Sequence, residues 1–203
     1  MPELGATTFW SKPVTLRGGQ VLLEPLCPAH ADGLRAATQD GALWQTWYTN
    51  VPSPDSVDAY IGSALAMQDD GKALAFAVRD ASGDVVGSTR YYDLDYTVPR
   101  LSLGYTWYAE RAQRTGLNTE AKLLLLGHAF QTLGCLAVGF ETSWFNHASR
   151  HAIARLGAHQ DGVLRSHKRH GDGSVRDTVV FSIIASEWPA VKANLLARFA
   201  AHA

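Results

Sequence analysis

Apolar and polar positions along the chain predict alternating short strands and helices. Residues 101–108 alternate in the way typical of a half-buried strand, and apolar residues recur at helical spacing over 117–133. A second apolar strand is predicted over 136–144, and a short helix begins near Asn146 and ends near Gly157. Two strands therefore flank a long helix in the middle of the chain.

The remaining pattern predicts strands and helices on both sides of this unit. They are strand 21–26, helix 28–38, helix 54–68, a hairpin of strands 74–79 and 85–92, a second hairpin of strands 162–169 and 175–184, and a tail helix that begins near Ser186. This order predicts a mixed α+β fold in which helices cover one sheet. Because no repeat or long linker divides the chain, residues 1–203 are predicted to form one domain, with 1–12 as a loosely attached N-terminal segment.

The connection over residues 113–122 joins a strand to the long helix and has features that favour anion binding. The N–H groups in the first turn of a helix lack intrahelical partners, and the helix dipole places partial positive charge there. Gly116 allows positive φ and close approach of a ligand to the backbone, and Arg114 can add a planar pair of donors for phosphate. An ordinary turn explains the loop equally well, so its interpretation depends on the surrounding elements.

Composition and spacing argue against several classes of protein. The formal net charge of −1 disfavours a general nucleic-acid binder. Neither a membrane-spanning run nor a secretory signal pattern is present, so we expect a cytoplasmic protein with no membrane partner. Cys27 and Cys135 match no zinc or redox spacing and are expected to be packing residues. His147 and His151 have metal-pair spacing, but a polar helix face is favoured and no metal is predicted.

Three loop positions carry a resemblance to a known family. Gln113, Gly116 and Asn118 occupy the places of the acetyl-CoA signature of the GNAT N-acetyltransferases, which is Gln or Arg, two residues, Gly, one residue, and Gly or Ala. Asn118 departs from the last place. This departure, with Gly-Tyr-Thr-Trp before the loop and Asn-Thr-Glu-Ala-Lys after it, resembles the RimJ/RimL-type branch. The resemblance covers nearly all of residues 14–190 and implies the GNAT fold, a mostly antiparallel twisted sheet with one splayed strand pair.

The resemblance also implies where acetyl-CoA binds. Strands 101–108 and 136–144 correspond to the splayed pair, which leaves backbone donors of Thr106, Trp107 and Tyr108 for the pantetheine arm and the thioester oxygen. The other expected cofactor-binding residues lie in the loop and at two helix starts. They are Gln113, Arg114, Thr115, Gly116, Leu117, Asn118, Thr119, Asn146 and Ser149. The last two can also serve as helix caps.

The implied reaction is attack of an unprotonated amine on the acetyl-CoA thioester, which needs a proton acceptor and donors for the oxyanion. Many relatives have a Glu where this chain has Ser102. Glu141 is the first candidate base, acting through water, and its alternative role is that of an ion-paired strand residue. Asp93 is the second candidate, and its alternative role is that of a turn residue. Many relatives place a Tyr near His151 as the thiol acid, and without it the thiolate leaves unassisted or is served by Ser149.

The sequence leaves the acceptor open. In the family, the segment between the first two helices lines the acceptor pocket, where Trp44, Trp47 and Tyr48 can either enclose an amine or serve as core. The apolar segment 188–199 can cover the domain or contact a second copy in a homodimer. The leading hypothesis is an acetyl-CoA-dependent N-acetyltransferase that acts on a peptide N-terminus or a small amine. The alternative is a module that senses acyl-CoA without catalysis.

Overall fold

The computed structural model describes Trp10 and residues 12–201, and an eight-stranded sheet lies at the centre of this part. The strand order is β1-β2-β3-β4-β5-β6-β8-β7. The strands are β1 (Leu16–Arg17), β2 (Val21–Pro25), β3 (Ala73–Asp80), β4 (Val85–Asp95), β5 (Arg100–Tyr108), β6 (Ala137–Ser143), β7 (His159–Arg169) and β8 (Val175–Ile184). The predicted mixed α+β class is confirmed, and the two-residue β1 is an addition to the predicted strands.

Five α-helices accompany the sheet in the described residues, each close to its predicted position. They are α1 (Ala31–Gln39), α2 (Val57–Asp69), α3 (Leu117–Gly127), α4 (His147–Leu156) and α5 (Trp188–Ala200). Prolines stand in the first turn of the 3₁₀ segments that precede α1 and α2, where a missing N–H costs nothing. A π-helical turn over His128–Thr132 extends α3 to Gly134, whose φ of +68° ends it as the sequence predicts.

The sheet is antiparallel at every junction except one. β5 and β6 are parallel, and their register covers only Arg100–Ser102 against Ala137–Gly139. Since α3 connects these two strands, it is the crossover that a parallel pair requires. The single parallel junction is therefore also the place where the sheet can open.

Buried contacts fix α3 against the sheet and α5 against α3. Tyr91 on β4 donates its hydroxyl to the Leu125 carbonyl at 2.6 Å, and both residues are fully buried. Trp188 on α5 stacks on Phe130 with ring centroids 5.4 Å apart. The buried side chains of α5 thus cover the domain itself, the first of the two roles considered for segment 188–199.

The predicted N-terminal segment 1–12 falls mostly outside the described residues, which exclude 1–9 and 11. Trp10 is described and is buried, with its ring centroid 5.3 Å from that of Tyr96. In the described part, no helix has the length and apolar character needed to cross a membrane. Both cysteines are free thiols, and Cys135 is buried as a packing residue.

Candidate functional site

The separation of β5 from β6 creates a pocket between the two strands. Beyond Ser102 the two strands share no register, while β5 remains paired with β4 through Ser88–Trp107 and Gly87–Tyr108. A pocket of about 380 Å³ opens at this point and is lined by Thr106, Trp107 and Tyr108 from one strand and residues 140–143 from the other. Beyond Ser102 the described part of β6 offers no register partner to β5, and backbone polar groups on such an open edge can bind a ligand.

A β-bulge reshapes β5 at the mouth of this fork. The register runs from Ser88–Trp107 to Arg90–Gly104, so β5 contains one more residue than β4 between those pairs. Tyr105 lies in this bulge with a φ of +51°, which is uncommon for a bulky residue. Bulges of this kind turn side chains and end strand pairing next to binding sites. Here the bulge directs Tyr105 towards the pocket, and its side chain is exposed there.

The loop between β5 and α3 is held by its own side chains. Gln113 donates its amide to the Tyr108 carbonyl at 2.9 Å, and Thr115 donates its hydroxyl to the Ala112 carbonyl at 2.9 Å. The Thr115 hydroxyl also accepts the N–H of Leu117 at 3.3 Å, the first residue of α3. The connection therefore brings the N-terminal end of α3 next to the open fork.

Gly116 does not use the positive φ that a glycine allows. Its φ of −65° and ψ of −19° are helical, so the position requires no positive φ. The left-handed residue of the loop is Arg114, with a φ of +60°. Gly116 is buried at the helix start, and close approach of a ligand to its backbone stays a prediction.

A second cavity of about 180 Å³ adjoins the fork at the start of α3. The predicted residues Arg114, Thr115, Asn118 and Thr119 line it, together with Arg155 of α4 and Arg198 of α5. The two cavities share Asn118, Ala152 and Leu156 in their walls. Of the predicted loop residues, Gly116 and Leu117 line neither cavity, and the Leu117 N–H is already bonded to the Thr115 hydroxyl. Three arginines beside a helix N-terminus form a setting suited to phosphate.

Asn118 connects the two cavities and carries an unsatisfied acceptor. Its Oδ1 atom is buried and has no hydrogen-bond partner among the described residues. Leaving a buried acceptor unpaired costs about 1–3 kcal/mol, so a ligand N–H is the expected partner. The role of Asn118, the residue that departs from the family signature, in cofactor binding stays a prediction.

Asn146 and Ser149 meet at the start of α4, where the predicted cap is observed and the predicted cofactor contact stays a prediction. Asn146 is the N-cap of α4, and its side-chain oxygen accepts the Ser149 N–H at 2.9 Å. Both residues also line the large pocket. The cap orients the two side chains, and this leaves the Ser149 hydroxyl and the Asn146 amide group available to a ligand.

Lys122 is a pocket residue that sequence reasoning missed. It is 7% exposed, lines the fork, and donates from Nζ to the Thr106 hydroxyl at 3.1 Å. Burial lowers its pKa from the usual 10.5 to about 7. A lysine with this pKa can hold or release a proton near neutral pH, which an exposed lysine cannot do.

The two carboxylates considered as bases lie in different surroundings. Glu141 lines the pocket, but its Oε2 forms an ion pair with Nζ of Lys168 at 2.6 Å. Asp93 is exposed, has a φ of +50°, and does not line the pocket, so its predicted place in the site is not supported. Partial burial, and next the charge of Glu141, raise the pKa of Asp93. Glu141 is the one of the pair that an acceptor in the fork can approach.

Trp44, Trp47 and Tyr48 were the aromatic candidates for enclosing an amine, and of these three Tyr48 alone lines the pocket. Trp44 is exposed and does not reach it, and Trp47 packs outside it, with ring centroids 5.2 Å from Phe145 and 4.8 Å from His170. Trp47 therefore bridges the loop before α2 to the β7–β8 hairpin. Neighbours of these residues line the pocket, among them Thr46 and Val51.

The opposite wall contains a buried arginine that the sequence did not single out. Arg176 on β8 is 9% exposed, lines the pocket, and has no partner for its Nε atom within the described part of the chain. Burial lowers the pKa of Arg176, and the charge of Glu141 partly opposes the shift. Within the same described residues, no group of three or more His, Cys, Asp or Glu is arranged to hold a metal ion.

The sequence profile of the family described as "Acetyltransferase (GNAT) domain" matches residues 20–159. This match spans more than half of the chain, and the chain belongs to the GNAT acetyltransferase family. The matching residues include the fork, the loop and all of α4, and they supply every residue that lines the large pocket except Arg176. A search of curated proteins found no match to the chain.

Solved structures with the same fold agree with this assignment. One assigned as an acetyltransferase from T. thermophilus is 32% identical, with a TM-score of 0.81 over 93% of this chain and 98% of its own. A GCN5-related N-acetyltransferase from Brucella melitensis is 29% identical, with a TM-score of 0.82 over 93% and 86%. Mycobacterium smegmatis RimJ in complex with CoA-disulfide is 21% identical, with a TM-score of 0.76 over 93% and 95%.

Proposed function

We propose that this protein transfers the acetyl group of acetyl-CoA to a primary amine. The observation that carries the proposal is that an opened strand pair and the first turn of α3 line two adjoining cavities with shared wall residues. The open edge of β5 suits an arm rich in amides, and the helix start with its arginines suits a pyrophosphate. Family membership supports acyl transfer as the class of reaction.

The residues present fit acetyl-CoA from its phosphates to its thioester. Arg114, Thr115 and Thr119 would hold the phosphates, and the orphaned Asn118 oxygen would accept an amide N–H of the pantetheine arm. When bound, acetyl-CoA supplies an activated acyl group. The chain's own contribution is to orient the thioester along the open edge of β5 and to offer backbone donors where negative charge develops.

Proton transfer falls to a small set of groups in the pocket. Glu141 would take the proton of the amine through water, with Lys168 holding its carboxylate in place. Ser149 and Lys122 line the pocket and can supply a proton to a departing thiolate. The acceptor would be a peptide N-terminus or a small amine, in keeping with the RimJ/RimL-type branch that the sequence resembles.

A sensor without catalysis is the second candidate, because Ser102 replaces the family glutamate and Lys168 engages Glu141. A thiol-release screen separates the two functions. The purified protein would be mixed with acetyl-CoA and with peptides of different N-termini, polyamines, aminoglycosides and amino acids. Thiol release that depends on one of these amines is the result expected of an acetyltransferase. Tight acetyl-CoA binding with no release across the whole panel would favour the sensor.

Gly116→Val tests whether the start of α3 contacts the cofactor. The backbone at position 116 is helical, so its φ and ψ do not exclude a β-branched residue. The new side chain would occupy space at the helix N-terminus, so acetyl-CoA affinity should fall roughly tenfold or more, about 1.4 kcal/mol. Isothermal titration calorimetry measures this directly.

Gly162→Val on β7 is the matched control, because a side chain there meets no atom within 4 Å. It should bind acetyl-CoA as the wild type does. If folded Gly116→Val keeps wild-type affinity, the first turn of α3 is not part of the cofactor site.

A further inference from the structure

Arg176 is a buried cation in the pocket wall, and no described residue forms an ion pair with it. The side chain is 9% exposed and lines the same pocket as the fork strands. Its Nε atom is buried and makes no hydrogen bond, and its guanidinium forms no ion pair with any carboxylate in the described part of the chain. Since buried arginines are normally paired, this one points to an anion that is supplied from outside the chain.

The nearest acidic group on the pocket wall is already engaged. Glu141 influences Arg176 electrostatically, but its carboxylate is bonded to Lys168 at 2.6 Å and lies beyond ion-pair distance of Arg176. The charges of Glu141 and Lys168 offset one another. The charge of Arg176 therefore remains uncompensated at this end of the pocket.

A second buried arginine adds to the positive potential. Arg90 is 2% exposed, and its guanidinium lies 4.2 Å from the centroid of the Tyr105 ring and 5.4 Å from that of Tyr60. Its described contacts are to these rings and to the sulfur of Met67, and none is to a carboxylate. Tyr105 thus has a buried cation behind it, while its exposed side faces the pocket. Charges in a recess with low-dielectric walls focus the field on a bound ligand.

A cofactor phosphate is not the anion that would pair with Arg176. The phosphate end is the second cavity, which has its own arginines at positions 114, 155 and 198, and Arg176 does not line it. Arg176 instead borders the part of the large pocket that also contains Glu141 and Tyr105. This part lies on β6, β8 and the bulge of β5, away from the start of α3.

We propose that Arg176 binds a carboxylate of the acceptor, so that the acceptor is an amine that also carries a carboxylate. A guanidinium presents two parallel N–H donors that match a carboxylate. A free amino acid and a peptide with an acidic residue at its N-terminus share this chemistry. The inference rests on the proposed acetyl transfer, to which it adds the class of acceptor.

Matched acid and amide pairs test the inference on the intact protein. One arm compares free amino acids with their α-amides. The other compares C-terminally amidated peptides that begin with Asp or Asn but are otherwise identical. Thiol release gives kcat/KM, and calorimetry on the CoA-bound protein gives the affinity without turnover. In at least one arm, the acid is expected to exceed its amide by about tenfold in wild type.

Arg176→Gln should lower kcat/KM for the acid about tenfold and change that for the amide by less than about twofold. Arg169→Gln is the matched control, because Arg169 lies on the same hairpin but is exposed and outside the pocket. It should preserve the preference for the acid. Equal loss for acid and amide in Arg176→Gln would assign Arg176 a structural role and overturn the inference.

The comparison of acids with their amides in the wild-type protein tests carboxylate recognition even if Arg176→Gln fails to fold. Amines acetylated with no preference for the acid would overturn the inference and leave the proposed function standing. Acids that bind the CoA-loaded protein better than their amides, without any thiol release, would support carboxylate recognition and count against acetyl transfer. Binding of neither member of any pair would overturn the inference.

Discussion

Gly87→Ala is expected to destabilise the protein by about 3 kcal/mol, because β4 and β5 approach too closely at this point for a side chain. A Cβ atom at position 87 would lie 2.1 Å from the Trp107 carbonyl oxygen and 3.0 Å from the Tyr108 Cα. Both neighbours belong to the backbone of β5, which cannot move without breaking its register with β4. Urea denaturation monitored by Trp fluorescence measures the loss.

The same substitution should also weaken the cofactor site. Relief of the contact requires β5 to shift at Trp107 and Tyr108, whose open edge forms one side of the fork. Folded Gly87→Ala is therefore expected to bind acetyl-CoA less tightly than wild type. Gly162→Ala, where a Cβ meets no atom within 4 Å, is the control for both measurements and should change stability by less than about 0.5 kcal/mol. Wild-type stability in Gly87→Ala would show that this approach is not rigid.

The elements that form the fork were predictable because their patterns are local. Alternation over 101–108, the apolar strand 136–144 and the helical spacing between them each depend on neighbouring residues. Their order also predicts a crossover, and the resemblance supplied the splaying of the strands. The structure agrees, since register between β5 and β6 ends at Ser102 and Gly139. Asn146 was predictable as a cap for the same local reason.

Contacts between distant segments could not be predicted from the sequence. The ion pair of Glu141 with Lys168 joins residues 27 positions apart and depends on how the β7–β8 hairpin returns along β6. Trp47 likewise packs on Phe145 and His170 instead of the pocket, which no local pattern indicates. The positive φ of Arg114 is a property of the loop conformation, whereas sequence reasoning assigns positive φ to glycine by default.

Lys122 could have been recognised from its place in the helical pattern. It stands three and four residues before Leu125 and Leu126, on the stripe of α3 that is buried against the sheet. A lysine on an apolar stripe is a departure from amphipathic patterning and predicts a buried, perturbed amine. The polar residues Asn118, Thr119 and Glu120 concealed the signal, because they are typical of an exposed helix start.

Lys122→Met is expected to stabilise the protein, and to do so more at low pH than at high pH. Burial lowers the pKa of Lys122 to about 7, whereas the ordinary value of 10.5 applies to the unfolded chain. Between these values the unfolded state holds a proton that the folded state has lost, so wild-type stability rises with pH at up to about 1.4 kcal/mol per unit. Below pH 7 both states are protonated, and the cost of burying the charge is complete.

The difference in unfolding free energy between Lys122→Met and wild type isolates this group, since all other titrating residues are shared. It should shrink by about 3 kcal/mol as the pH rises from 6.5 to 9.5. Urea denaturation at several pH values measures it, and Lys72→Met at an exposed position is the control that should stay flat. A difference that does not vary with pH would mean that Lys122 keeps an ordinary pKa and cannot exchange a proton in the pocket at neutral pH.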